Sequence, residues 1–173
     1  MNLRRAQAKD APVLAQVHVD SWRAAYQGLV PDSFLKGFTY KKREQAFQRA
    51  LESGEEETYV LEGNGDAIGI LTVGPSRDED IDSASIGELW GIYISPRYWR
   101  RGIGRMLVQE AERLLRARGC LEIVLWVLEG NTDARYFYEA MGFHQDGASK
   151  VVELGKPLNV VRYAKKLPPD IHE

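Results

Sequence analysis

The sequence predicts an α/β fold in which helices flank a mixed, mostly antiparallel central sheet of about six to seven strands. Three observations carry this. A strand-helix-strand unit over 88–128 requires two parallel neighbours, because only a crossover can join them. The turn segments Gly63-Asn64-Gly65-Asp66 and Leu154-Gly155-Lys156-Pro157 each join two β-rich runs, which is the mark of an antiparallel pair. Between the β-rich runs lie stretches with apolar residues at helical spacing.

Taken in order, Asp10-Ala11-Pro12 reads as an N-cap with proline just inside a helix, and Leu14, Val17, Ser21 or Trp22, and Ala25 recur at helical spacing up to Gly28. Pro31-Asp32 starts a short second helical piece, and 40–51 forms a third. Residues 58–61 and 67–73 form a hairpin, and 86–95 is an aromatic strand. Residues 104–118 form an amphipathic helix closed by Gly119. The most apolar run, 121–128, reads as a buried strand. A helix over 131–141 has Asn131 as N-cap and Gly142 as C-cap, and strands over 144–153 and 159–166 finish the chain. The order is β-α-α-β-β-β-α-β-α-β-β. With 173 residues and no stretch that reads as a linker, one domain over 1–173 is expected.

Composition narrows the partners. Hydrophobic residues make up 44% and charged residues 28%, as in an ordinary globular chain, and the net charge of -2 gives no support to a nucleic-acid partner. No apolar run approaches a membrane span, and the charged start Met1-Asn2-Leu3-Arg4-Arg5 has no apolar stretch behind it, so neither a membrane nor a signal peptide is expected. The single cysteine, Cys120, excludes an internal disulfide framework and a cysteine zinc site, and fits a reducing cytosol. It follows a glycine with no histidine nearby, so it reads as a packed thiol. His18, His144 and His172 have no metal-ligand spacing, and no metal is expected.

Chemistry concentrates between the aromatic strand and the helix that follows. In Trp99-Arg100-Arg101-Gly102-Ile103-Gly104-Arg105 the two glycines permit a tight turn into a helix whose first N–H groups are unpaired. Four arginines fall between 97 and 105. Free amides, helix dipole and arginines together suit a pyrophosphate; the alternative is a solvated helix start. The dinucleotide fingerprint fails because Leu107 stands where its third glycine belongs, and the P-loop Lys-Ser/Thr is absent.

This segment resembles motif A of the GCN5-related N-acetyltransferases, Gln/Arg-x-x-Gly-x-Gly/Ala, with Trp99 at the Gln/Arg position. Asn131 to Phe143 resembles the family's Asn-x-x-Ala-x-x-x-Tyr-x-x-x-Gly-Phe segment without a mismatch. The chain is thereby identified as a single-domain, bacterial-type member, over about residues 2–167. The resemblance implies direct transfer of an acetyl group from acetyl-CoA to a primary amine, small or on a protein, in the cytoplasm, by a chain acting alone or as a homodimer. It implies acetyl-CoA contacts by Ile92, Tyr93, Ile94, Trp99, Arg100, Arg101, Gly102, Ile103, Gly104, Arg105, Asn131, Ala134 and Tyr138.

The resemblance also implies roles. Glu88, eleven residues before Trp99, is the candidate general base for an ammonium of ordinary pKa about 10.4; the plainer alternative is a solvent-facing strand glutamate. Backbone N–H groups around Ile92 to Ile94 would meet the oxyanion where the strand splays from its parallel neighbour, and Gly91 would mark a bulge. Tyr138 would protonate the leaving thiolate. Trp22, Tyr26 and Trp90 are the candidate acceptor-pocket residues, with core packing as the alternative. The run Arg77-Asp78-Glu79-Asp80-Ile81-Asp82 points to a small cationic acceptor unless it is merely solvated, and Glu55-Glu56-Glu57 adds a second acidic run. The rival readings are an idle acyl-CoA-binding sensor and a transferase for a larger acyl-CoA.

Overall fold

The computed structural model describes residues 1–54 and 56–169. Glu55 of the second acidic run and His172 lie outside the described residues. In chain order the elements are β1 (Asn2–Arg5), α1 (Ala11–Ala25), α2 (Asp32–Gly37), α3 (Tyr40–Ser53), β2 (Glu57–Gly63), β3 (Asp66–Pro75), β4 (Ile86–Ile94), α4 (Ile103–Ala117), β5 (Glu122–Leu128), α5 (Thr132–Ala140), β6 (His144–Glu153) and β7 (Pro157–Lys166). This is the expected order, with the six-residue α2 standing as a helix of its own between α1 and α3.

The seven strands form one sheet in the order β1-β2-β3-β4-β5-β7-β6. Every neighbouring pair is antiparallel except β4 with β5. The β2–β3 turn is set by Asn64 and Gly65, whose φ angles of 53° and 80° are those of a type I′ turn. One face of the sheet is covered by α4 and α5: Ile103, Leu107, Val108, Ala111 and Leu115 are buried against Leu71, Leu89, Ile123 and Leu125. On the other face, Leu14 and Val17 of α1 and Phe47 of α3 pack on Val60 and Ile70, and Leu35 of α2 packs near Leu128 and Val160.

Asp10 does not cap α1 as its position suggested. Its carboxylate accepts the Gln7 N–H at 2.7 Å and pairs with both terminal nitrogens of Arg4 at 2.9 Å. It therefore closes a 3-10 turn over Ala8–Asp10 and ties it to β1. Asn131 does cap α5, accepting the Ala134 N–H at 3.2 Å.

Two irregularities shape the middle of the sheet. β4 and β5 pair at only three positions, Ile86↔Glu122, Gly87↔Ile123 and Glu88↔Val124. Beyond Glu88 they part, although β5 stays paired with β7 to Leu128. Where they part, Thr72 pairs with Gly91 and Val73 with Leu89, so Trp90 is an extra residue in β4. A bulge of this kind bends its strand and exchanges the faces of the residues that follow. Leu89, Ile92 and Ile94 all pack toward α4, whereas Tyr93 packs toward α1.

Candidate active site

The opening between β4 and β5 joins the two faces of the sheet. On the α4 face it leads to the start of that helix. Arg100 and Gly102 take left-handed φ angles of 60° and 78°, which turn the chain sharply from the 3-10 turn Pro96–Tyr98 into α4. No side chain caps this end. The first-turn N–H groups therefore remain available to an anion, with the partial positive charge of the helix behind them. Arg97, Arg100, Arg101 and Arg105 are all exposed around it. Trp99 donates its indole N–H to the Ile94 carbonyl at 2.8 Å and so fastens the loop to the end of β4. Gly104 has a second reason to be glycine: a Cβ there would stand 3.2 Å from Phe137 Cζ. It lets α4 and α5 meet.

The backbone of β4 faces this opening by alternation. The Ser95 N–H bonds the Ile68 carbonyl at 2.8 Å, so the odd-numbered residues here point their polar groups toward β3. Ile92 and Ile94 then point theirs toward β5, which has left. Tyr93, grouped with them on sequence, is set differently. It pairs with Ile70, and its side chain goes to the α1 face.

Tyr138 on α5 packs its ring against Phe137 and Phe143 at centroid distances of 5.1 and 5.8 Å. Burial first, and the neighbouring Tyr93 second, push its phenol above the ordinary tyrosine value. Tyr26 is pushed up in the same way, by burial and then by Tyr93 and Tyr138. Tyr138 on α5, Tyr93 on β4 and Tyr26 just past α1 thus lie close enough to act on one another, each protonated at neutral pH.

On the α1 face, Glu88 is buried rather than solvent-facing. Arg77 donates to its Oε2 from Nη2 at 2.6 Å and Nε at 3.2 Å, and to its Oε1 from the backbone N–H at 3.3 Å. A carboxylate has about four acceptor positions, so about one remains, on Oε1. Trp90 donates to the Pro75 carbonyl at 3.1 Å. Trp22 stacks on Phe38 and meets Tyr26 edge-on.

His18 of α1 lies buried among these rings, 3.9 Å from the Tyr93 centroid, with neither ring nitrogen hydrogen-bonded. Burial, and then the charge of Arg43, push its pKa down to about 3. The unfolded imidazole takes its proton near 6.5, so between these values the unfolded state binds more protons and stability falls as pH falls. The expected contribution is about 1.4 kcal/mol per pH unit across that window. Denaturant titrations of the parent and His18→Phe should diverge steadily from pH 6.5 downward; a difference independent of pH would count against this assignment.

The acidic run before β4 is partly built into the fold, through Asp78 and Asp80, while Glu79, Asp80 and Asp82 stay exposed. Asp78 accepts the Trp126 indole N–H at 3.0 Å and Arg162 Nη1 at 3.2 Å. Asp80 receives Arg162 at 2.8 Å from both Nη1 and Nη2, which lowers its pKa, and Asp146 receives Arg162 Nε at 2.6 Å. Asp82 holds the turn at Ala84 and Ser85. Arg162 thus offsets only part of the charge of Asp78, Asp80 and Asp146, and Asp82 bonds a neutral N–H and a hydroxyl, so the run keeps net negative charge. Cys120 is half-buried, and burial raises its thiol pKa. No cluster able to hold a metal occurs among the described residues, and no helix among them is long and apolar enough to cross a membrane.

Residues 19–143 match the model of the Acetyltransferase (GNAT) family. The chain is 31% identical over 141 residues to the uncharacterized N-acetyltransferase YuaI of Bacillus subtilis, covering 81% of this chain and 78% of that protein. It is 26% identical over 165 residues to a spermidine N(1)-acetyltransferase of Thermoplasma acidophilum, covering 88% and 96%. Its fold matches the crystal structure of the PaiA N-acetyltransferase of Thermoplasma acidophilum in complex with coenzyme A, with a TM-score of 0.73 and 22% identity over 95% of this chain and 98% of that one.

Proposed function

Because the chain belongs to the GNAT acetyltransferase family, we propose that it transfers the acetyl group of acetyl-CoA to a primary amine by direct attack in a ternary complex. The observation that carries this reading is the opening between β4 and β5, with an uncapped helix N-terminus on one side and a buried carboxylate on the other. Bound acetyl-CoA supplies a thioester carbonyl and a thiolate leaving group. The α4 amides and the arginines of 97–105 hold the pyrophosphate, and Asn131, whose side-chain oxygen is spent on its cap, has its NH2 group left for the pantetheine arm. The N–H groups of Ile92 and Ile94 face the oxyanion.

Glu88 receives the amine's proton through one water at its remaining Oε1 position. Tyr138 donates a hydrogen bond to the sulfur. A sensor that only bound acyl-CoA would need neither residue.

The test is thiol release from acetyl-CoA with a panel of amines, to which the spermidine N(1)-acetyltransferase relative adds the polyamines. Thiol release should require an amine and rise on the alkaline side of neutrality. Glu88→Gln should lower turnover by roughly 10²-fold or more; activity within a few-fold of the parent removes Glu88 as the base. Acetyl-CoA binding without release for any amine would leave the sensor reading.

A further inference from the structure

Two cations stand over two indoles on the α1 face of the sheet. The Arg77 guanidinium carbon is 3.7 Å from the Trp90 ring centroid, and Lys150 Nζ is 4.1 Å from that of Trp126. Trp90 and Trp126 each lie two residues beyond the last β4–β5 pair, Glu88↔Val124, at the apex of the opening. The charges here are layered. The carboxylates lie beneath, with the Glu88 side chain 2% exposed and that of Asp78 10% exposed. The cations lie above them, Arg77 at 55% and Lys150 at 49%.

A ligand approaching the two rings therefore meets Arg77 and Lys150 before Glu88 and Asp78, while Asp80, 64% exposed, is paired with Arg162. Arg77 is also held in place: Glu88 grips one edge from behind and Trp90 supports its plane. Of the five N–H donors of a guanidinium, two are used by Glu88, so three remain. Lys150 is held by the Trp126 ring and by a long ion pair with Asp78 at 3.9 Å.

We propose that Arg77 and Lys150 form a receptor for a carboxylate on the acceptor, which is thus an amine that also carries an acid group, as an amino acid does. This rests on the reading of the opening as an amine-acetylation site. It differs from the cationic acceptor expected from the acidic run, of which Asp78 and Asp80 are paired with Arg162 while Glu79 and Asp82 stay exposed on the loop. A purely cationic polyamine would meet two like charges at the same place.

The experiment measures binding in the presence of coenzyme A, which has no acetyl group to transfer, so its outcome is independent of turnover. Lysine against cadaverine, and phenylalanine against phenethylamine, differ only by the carboxylate. The acid of each pair should bind roughly 10- to 100-fold more tightly, the range for charge-assisted hydrogen bonds. Arg77→Gln should reduce that ratio to within a few-fold. Lys150→Gln, at a half-exposed position on β6, should reduce it in part and keeps the test intact if the Arg77 variant does not fold. Equal binding within both pairs, preference for the decarboxylated amines, or no binding by any of the four overturns the proposal. The expected preference without thiol release from acetyl-CoA upholds the receptor and removes the acetyltransferase reading; turnover without the preference does the reverse.

Discussion

A glutamate at position 104 is expected to abolish binding of acetyl-CoA. Gly104 lies in the first turn of α4, where no side chain satisfies the N–H groups. A carboxylate there would neutralise the helix end and occupy the anion's place. The parent, at a hundredfold excess of ligand over Kd, should gain about 2.7 kcal/mol of stability, roughly 5–10 °C in Tm for a chain of this size. The variant should gain nothing. Gly104→Ala is the control, since its Cβ would press on Phe137 at 3.2 Å without adding charge. It should keep most of the ligand-dependent shift. A full shift in Gly104→Glu would move the pyrophosphate away from this helix.

Tyr138→Phe is expected to lower kcat by roughly 10²-fold while leaving acetyl-CoA affinity nearly unchanged. The phenol has its pKa raised by burial, whereas a thiolate has an ordinary pKa near 8.5, so complete proton transfer to sulfur runs uphill. What Tyr138 offers is a fixed donor to charge that develops only as the C–S bond breaks, and losing one such donor costs about 10²- to 10³-fold. An interaction made only in the transition state appears in kcat. Equal losses in affinity and kcat would make Tyr138 a binding residue instead.

Local pattern made most of the framework legible. The type I′ turn at Asn64-Gly65, the cap at Asn131 and the strand-turn-helix around Gly102 are each written within a few residues, and the structure has all three. What stayed hidden depends on partners far along the chain. Nothing near Asp78 or Asp80 says that Arg162, more than eighty residues later, will gather them. Glu88 could be singled out, but its burial beneath Arg77 follows from the loop over 76–85 folding back on β4. Trp22 and Tyr26 stand four residues apart in the sequence, a spacing that brings them together at the end of α1. That His18 would complete their cluster, with both nitrogens unbonded, required Tyr93 to be sent to that face by the bulge at Trp90. A bulge inverts facing, so simple alternation misassigns residues beyond it.

The short pairing of β4 with β5 has a mechanical consequence. Strands β1 to β4 form one continuous ladder, and β5, β7 and β6 form another. Across the sheet the two are stitched by three residue pairs at one end, like a book bound along part of its spine. Each leaf is paired along most of its strands, whereas β4 and β5 are paired at one end only, so compliance in the sheet is concentrated at the binding. A molecule lying between the free edges would act as a second stitch, resisting shear between leaves whose strands pair directly only at Ile86, Gly87 and Glu88.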